Sequence, residues 1–199
     1  MSRKLDSKFY VNSLQNDTYS DKTHTLLLVV DEQPKLMTTM ENGEETTINT
    51  LALIKAFKQY EMKYLATEQY PKGLGRSDDR ILEEIEEDKI FAKSLFDAAI
   101  PEVVAYIKEN DIKKVLVTGA EGHICIYQTV RSLLDLGLEV FLVEDAVASF
   151  KESQKQTATN SLENMGAVIV NTEMVLFDLA RDAKDPNFKF ISNLVKSLR

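Results

Sequence analysis

The chain contains a single cysteine, Cys125, in the stretch TGAEGHICIYQTVRSLLDLG. It follows a turn rich in glycine and alanine and opens a segment with the pattern of a helix. The dipole and free N–H groups of a helix N-terminus favour a thiolate and can hold an oxyanion. This position predicts a nucleophilic cysteine, against the alternative of a small buried hydrophobic residue, which is the commoner role of a lone cysteine.

Two charged residues lie at the ends of other predicted strands. Asp31 ends the run HTLLLVVD, and Lys93 interrupts the mostly apolar run IFAKSLF. Turn capping is the alternative role for the aspartate, and a solvent-facing position is the alternative for the lysine. Together with Cys125 they make a workable catalytic set. The carboxylate could accept the thiol proton, and the ammonium could stabilise both charged partners.

Substrate contacts are predicted at polar and aromatic side chains near these strand ends. His123 lies two residues before the cysteine, where a pocket-facing and a packed position are equally consistent with the sequence. Loop packing is likewise the alternative for three residues at the end of the second predicted strand and in the loop that begins there: Glu68, Gln69 and Tyr70. The other histidine, His24, begins the first strand and is interpreted as structural. With so few histidines, we expect no metal and no cofactor.

Strand and helix patterns alternate along the chain. Predicted strands cover HTLLLVVD, MKYLATEQ, KIFAKSLF, KKVLVTGA, LEVFLVED and AVIVNT, and predicted helices cover residues 44–61, 98–110, 123–137 and 151–165. This order is typical of an α/β protein, a parallel sheet with helices on both faces, and therefore three αβα layers. Ligand crevices in such sheets lie at the carboxyl ends of the strands, which is where Asp31, Lys93 and Cys125 fall.

Length and composition fit one domain. The 199 residues are 44% apolar, and the net charge of −8 argues weakly against nucleic acid as a partner. Residues 1–22 are polar and without period, which predicts a flexible N-terminal arm before a domain over residues 23–199. One cysteine fits a reducing compartment such as the cytoplasm, while basic and serine residues in the arm leave mitochondrial import open. No apolar run has membrane-spanning length.

Several stretches together resemble the isochorismatase-like cysteine hydrolases. They are LLVVDEQ, KSLFDAAIPEV and, most specifically, VTGAEGHICIYQTVRSLLDLGLEVFLVEDAVAS. Within that family, TEQYPKGLG and DPNFKFISNLVK are most similar to the isochorismatase domain-containing branch. The resemblance implies the Rossmann-like hydrolase fold of the family. It also implies that Asp31 is the acid/base, Lys93 the supporting lysine and Cys125 the nucleophile.

Two departures narrow the implied activity. The nicotinamidase branch has an aspartate and two histidines as metal ligands after its second strand, whereas TEQYPKGLG has no histidine. The proteins named for isochorismate cleavage do not depend on a nucleophilic cysteine. We therefore expect hydrolysis of a C–N bond in a small amide-type substrate through a thioester. A non-catalytic binding or scaffold protein and a ribonuclease-like relative are the alternatives.

The resemblance also implies a backbone feature and an assembly. Enzymes of the family have a non-proline cis bond at the position of Ala120–Glu121, beside the expected oxyanion hole. Related proteins commonly form homo-oligomers, so we expect one here. Apolar residues of the C-terminal tail could form its interface or could pack on their own core: Phe188, Phe190, Ile191 and Leu194.

Overall fold

The computed structural model describes residues 22–199, so that residues 1–21 of the predicted arm lie outside the described part. Six parallel strands form one sheet in the order β3-β2-β1-β4-β5-β6. Their bounds are β1 Thr25–Val30, β2 Lys63–Gln69, β3 Ile90–Lys93, β4 Lys114–Ala120, β5 Glu139–Ala148 and β6 Val168–Val170. All six fall on predicted strands, and the three-layer α/β prediction is confirmed.

Helices connect the strands and cover the sheet. The principal ones are α1 Pro34–Met37, α2 Gly43–Gln59, α3 Pro71–Leu74, α4 Asp79–Leu82, α5 Pro101–Glu109, α6 Tyr127–Asp135, α7 Glu152–Met165, α8 Thr172–Ala180 and α9 Phe188–Leu198. A 3₁₀ turn spans Glu87–Lys89, and a π-helical turn spans Gly122–Ile126 immediately before α6. The predicted helix over residues 123–137 therefore begins with a wider turn that contains Cys125.

Two hydrophobic clusters lie on opposite faces of the sheet. Because side chains alternate along a strand, Leu27 and Val29 of β1 belong to one cluster, and Leu26 and Leu28 belong to the other. The first cluster packs against α2, α8 and α9, and it includes the fully buried Ile191 of the C-terminal tail. The tail therefore packs on its own core, which is one of the two positions predicted for it.

The strand order places the candidate active site at the carboxyl ends of β1 and β4. Connections run from β1 outward to β2 and β3 on one side, and through β4 to β5 and β6 on the other. A parallel sheet opens a crevice at the carboxyl ends of the strands where the order reverses. Gly119 permits close approach there, since its φ is +112° and a Cβ atom would lie 1.9 Å from the carbonyl oxygen of Val30.

Candidate active site

Asp31 and Lys93 form a buried ion pair at the crevice. The lysine Nζ lies 2.6 Å from Oδ2 of the aspartate, and both side chains have no exposed surface. Asp31 adopts a left-handed φ of 56° directly after β1, which turns its side chain out of the strand pattern. Thr67 donates its hydroxyl proton to the other carboxylate oxygen at 2.9 Å. The carboxylate is therefore fixed at both oxygens.

Lys93 has three acceptors for its three N–H groups. Besides Asp31, they are Oε1 of Gln69 at 2.6 Å and the carbonyl oxygen of Leu95 at 3.0 Å. The ammonium is consequently saturated by groups of the protein. Gln69 is fixed in turn, because its Nε2 donates to the carbonyl of Ser94 and its backbone N–H donates to the side chain of Gln33.

Cys125 completes the group of predicted residues. Its thiol lies in the π-helical turn, 4% of the residue is exposed, and its side chain is hydrogen-bonded to Asp31. The backbone N–H of Glu121 also donates toward the sulfur. The carbonyl of Glu121 accepts hydrogen bonds from the N–H groups of Ile124 and Ile126, at 2.9 and 3.1 Å. These bonds fix the start of the turn that contains the cysteine.

The pKa of the Cys125 thiol differs from the low value that its position in the sequence predicts. Burial first, and then the negative charge of Asp31, raise the pKa of Cys125 to about 12, although Lys93 and the N–H of Glu121 act in the opposite direction. A helix N-terminus predicted a thiolate. The prediction was wrong for the resting site, because it counted neither desolvation nor the neighbouring carboxylate. Burial also raises the pKa of Asp31, against the effects of Lys93 and Thr67.

The predicted substrate contacts fall in different places. Glu68 is buried on the side of β2 away from Asp31, Lys93 and Cys125, the three residues called the triad below. Its carboxylate accepts hydrogen bonds from Arg76 Nε at 2.8 Å and from the backbone N–H of Ser77 at 2.8 Å. Gln69 contacts Lys93, and Tyr70 is largely exposed. Alternation along β2 explains this division, since Thr67 and Gln69 share one face and Glu68 lies on the other.

His123 lies beside the cysteine segment but outside the ion-pair network. Its Nδ1 is 3.3 Å from the hydroxyl oxygen of Ser149. The ring lines a cavity of about 440 Å³ together with Tyr127 and residues of α7. The Ala120–Glu121 peptide bond is cis, as the family resemblance implied.

Two residues of the network were not predicted. Thr67 fixes Asp31, and Gln33 connects the loop after β1 to β2 by accepting from the N–H of Gln69 and donating to its carbonyl. Side-chain alternation along β2 was the available signal for Thr67. No group of three or more His, Cys, Asp or Glu side chains in residues 22–199 has an arrangement that could hold a metal ion.

Comparison with known proteins places this arrangement among the isochorismatase-like α/β hydrolases. The Isochorismatase domain profile matches residues 25–174. The chain therefore belongs to the isochorismatase family. Isochorismatase family protein 1A of Dictyostelium discoideum is 33% identical over 88% of this chain and 87% of that protein. Isochorismatase domain-containing protein 2 of Danio rerio is 34% identical over 86% of each.

Solved structures share the fold. The structure described as MAR1 ribonuclease from Caenorhabditis elegans superimposes with a TM-score of 0.83 at 31% identity, over 88% of this chain and 91% of that one. YcaC from Escherichia coli, described as an octameric hydrolase of unknown specificity, has a TM-score of 0.78 at 20% identity, over 89% and 96% of the two chains. The predicted family and fold are thus confirmed.

Proposed function

We propose that this protein hydrolyses a C–N bond of a small amide through Cys125, Asp31 and Lys93. The observation that carries the proposal is the buried network at the strand ends, in which one carboxylate contacts both the thiol and the ammonium. A buried ion pair contributes little net stability compared with an apolar replacement. Its position beside the only thiol of the chain favours a chemical role.

The raised thiol pKa is compatible with this mechanism. Loss of the proton to solvent would leave the buried site with one net negative charge. Transfer of the same proton to Asp31 leaves the net charge unchanged, because thiolate and ammonium then balance each other. Since burial also raises the pKa of Asp31, the carboxylate is a better proton acceptor than an exposed one.

The reaction then proceeds in two halves. Asp31 takes the thiol proton, and the sulfur of Cys125 attacks the carbonyl carbon to form a tetrahedral oxyanion. Asp31 returns the proton to the leaving nitrogen, the C–N bond breaks, and a thioester remains. Asp31 next removes a proton from water, and the water oxygen attacks the carbonyl carbon of the thioester. The C–S bond breaks, the acid leaves, and Asp31 returns the proton to the sulfur to restore the thiol. The N–H groups of Glu121 and Cys125 are the proposed donors to the oxyanion.

A screen of purified protein against small amides and esters tests this function. Wild type should release the amine or alcohol, Cys125→Ala should release none, and hydroxylamine should trap the acyl group as a hydroxamate. Thr38→Ala, an exposed change directly after α1, is a control for differences in handling between preparations. Hydrolysis that survives in Cys125→Ala would refute the nucleophile role.

A ribonuclease activity is the second candidate, because the C. elegans neighbour is described as a MAR1 ribonuclease. The net charge of −8 gives it no support. Incubation of labelled RNA with wild type and with Cys125→Ala distinguishes the candidates. Equal cleavage by both proteins would establish nuclease action independent of the thiol.

We further propose a homo-oligomer and a small-molecule substrate as the partners of this chain. Exposed apolar side chains on helices α2 and α8, Ile48, Met174 and Phe177, offer contact surface for a second copy. Light scattering at micromolar concentration tests the assembly, and a monomer mass would reject it. No helix in residues 22–199 is both long and apolar enough to cross a membrane.

A further inference from the structure

Four large apolar side chains follow strands at the carboxyl edge of the sheet, the edge that holds the triad. Tyr70 follows β2, Leu95 and Phe96 follow β3, and Phe150 follows β5; each is between 54% and 61% exposed. The remaining large exposed apolar residues of the described chain lie on helices, except Leu136, which directly follows α6. These four residues are named the apolar rim.

Hydrogen bonds connect the apolar rim to the catalytic network. The backbone N–H of Tyr70 donates to the carbonyl of Lys93 at 2.8 Å. Lys93 in turn donates from Nζ to the carbonyl of Leu95 at 3.0 Å. On the other side of the crevice, Phe150 follows Ser149, whose hydroxyl lies 3.3 Å from the ring of His123. Two of the four rim residues, Tyr70 and Leu95, are therefore bonded directly to Lys93.

Tyr70 is held in an unusual conformation. Its φ of 39° is left-handed, which is uncommon for a residue with a side chain. Its ring covers Gly73, where a Cβ atom would lie 2.7 Å from Cδ1 of the tyrosine. An exposed aromatic ring held at a backbone cost is consistent with recognition of a ligand.

Two cations at this edge of the sheet, Lys93 and Arg76, are already paired. All three N–H groups of Lys93 have acceptors within the protein. Arg76, in the loop after β2, is paired with Glu68 and Glu87. The thiol itself contacts the carboxylate of Asp31, and a second negative charge beside that carboxylate is disfavoured.

We propose that the apolar rim selects neutral substrates that carry an apolar, preferentially aromatic, group beside the scissile bond. The inference rests on the proposed hydrolase function and names its substrate class. Aromatic and aliphatic side chains with a few fixed polar groups are the usual lining of small-molecule sites. The rim binds the apolar group, and the triad and its N–H donors act on the carbonyl.

Alkylation of Cys125 tests recognition without requiring turnover. The sulfur displaces iodide from iodoacetamide, N-phenyl iodoacetamide or iodoacetate, and the single cysteine makes the labelled site unambiguous. Each rate is divided by the rate with glutathione at the same pH, which removes differences in intrinsic reactivity. The phenyl reagent should exceed iodoacetamide by about tenfold after this correction, and iodoacetate should be slowest.

Rim variants assign the selectivity. Tyr70→Ser and Phe96→Ser should each lower the preference for the phenyl reagent over iodoacetamide by about threefold. Met165→Ser is the matched control, because it removes a similarly exposed apolar side chain at the end of α7, where the chain returns to the opposite edge of the sheet to begin β6. It should change neither rate.

The outcomes are distinguishable from those of the amide screen. A phenyl preference no larger than that of glutathione overturns the proposal. A preference that neither rim variant changes overturns it as well. Both results include the case in which a second copy of the chain covers the rim. A corrected iodoacetate rate above that of iodoacetamide overturns the neutral-substrate part. A clear rim-dependent preference in a protein that hydrolyses no amide would leave the recognition standing and remove the hydrolase function.

Discussion

Replacement of Glu32 by glutamine should make the protein more stable, increasingly so as the pH rises. Glu32 lies between Asp31 and Gln33 and is 1% exposed. The hydroxyls of Thr50 and Thr47 approach its carboxyl group. Neither carboxyl oxygen, however, makes a well-formed hydrogen bond within residues 22–199. Burial is the main cause that raises the pKa of Glu32 from 4.5 to about 8.

The direction of this pH dependence follows from the proton that Glu32 binds in the folded and unfolded states. Between pH 4.5 and pH 8 the folded state keeps a proton on Glu32 that the unfolded state has released. Stability therefore falls as the pH rises through this window, and the loss is complete above the folded pKa. From the two pKa values, the loss is about 2 kcal/mol at pH 6 and about 4 kcal/mol at pH 8. These figures are upper limits, because relaxation around the charged form would reduce them.

Urea unfolding of wild type and Glu32→Gln at pH 5, 6, 7 and 8 measures the effect. The difference between their unfolding free energies isolates Glu32 from other titrating groups, and it should increase steadily with pH. Glu68→Gln is the matched control on the next strand, since that carboxylate is buried with Arg76 and Ser77 as partners. It should destabilise by about 1–3 kcal/mol. A difference for Glu32→Gln that is constant from pH 5 to 8 would refute the desolvation argument.

Three further predictions concern the site itself. Asp31→Asn should lower the pKa of Cys125 and speed its alkylation by iodoacetamide, because it removes a nearby negative charge. Lys93→Met should raise that pKa and slow alkylation, because it removes a nearby positive charge. Alkylation rates that change in the same direction in both variants would contradict these effects. Gly119→Ala should destabilise by at least about 2 kcal/mol in urea unfolding, because the new methyl group meets the carbonyl of Val30, and an unchanged midpoint would exclude this clash. Amide hydrolysis, once found, should be unaffected by EDTA; loss with EDTA and recovery with zinc would show a metal requirement.

Sequence patterns were sufficient for the sheet and for the convergence of the triad. Parallel strands separated by helices place their carboxyl ends at one edge, so Asp31, Lys93 and Cys125 could be brought together without any knowledge of distances. The strand order added the reason that Asp31 and Cys125 lie at the ends of neighbouring strands. Asp31 follows β1 and Cys125 follows β4, the pair on either side of the reversal.

The substrate contacts were less predictable, because the loop after β2 folds back on its own strand. A structural role for Glu68 could not be predicted from the sequence. Its partners Arg76 and Ser77 lie eight and nine residues further along the chain, and they reach it only because the loop turns back. Strand alternation alone would have separated it from Thr67 and Gln69. The boundary of the strand had to be known first, and a shift of one residue would have reversed the assignment.

The thiol shows why position on a helix is insufficient evidence for ionisation. A helix terminus contributes a partial charge, whereas burial removes the hydration of a whole one, and the latter dominates at Cys125. A permanently ionised thiolate would also repel Asp31, the group proposed to shuttle the proton. A neutral thiol hydrogen-bonded to that carboxylate keeps the proton where the leaving nitrogen needs it. Lys93 then balances the one negative charge of the pair, whichever of the two atoms carries it.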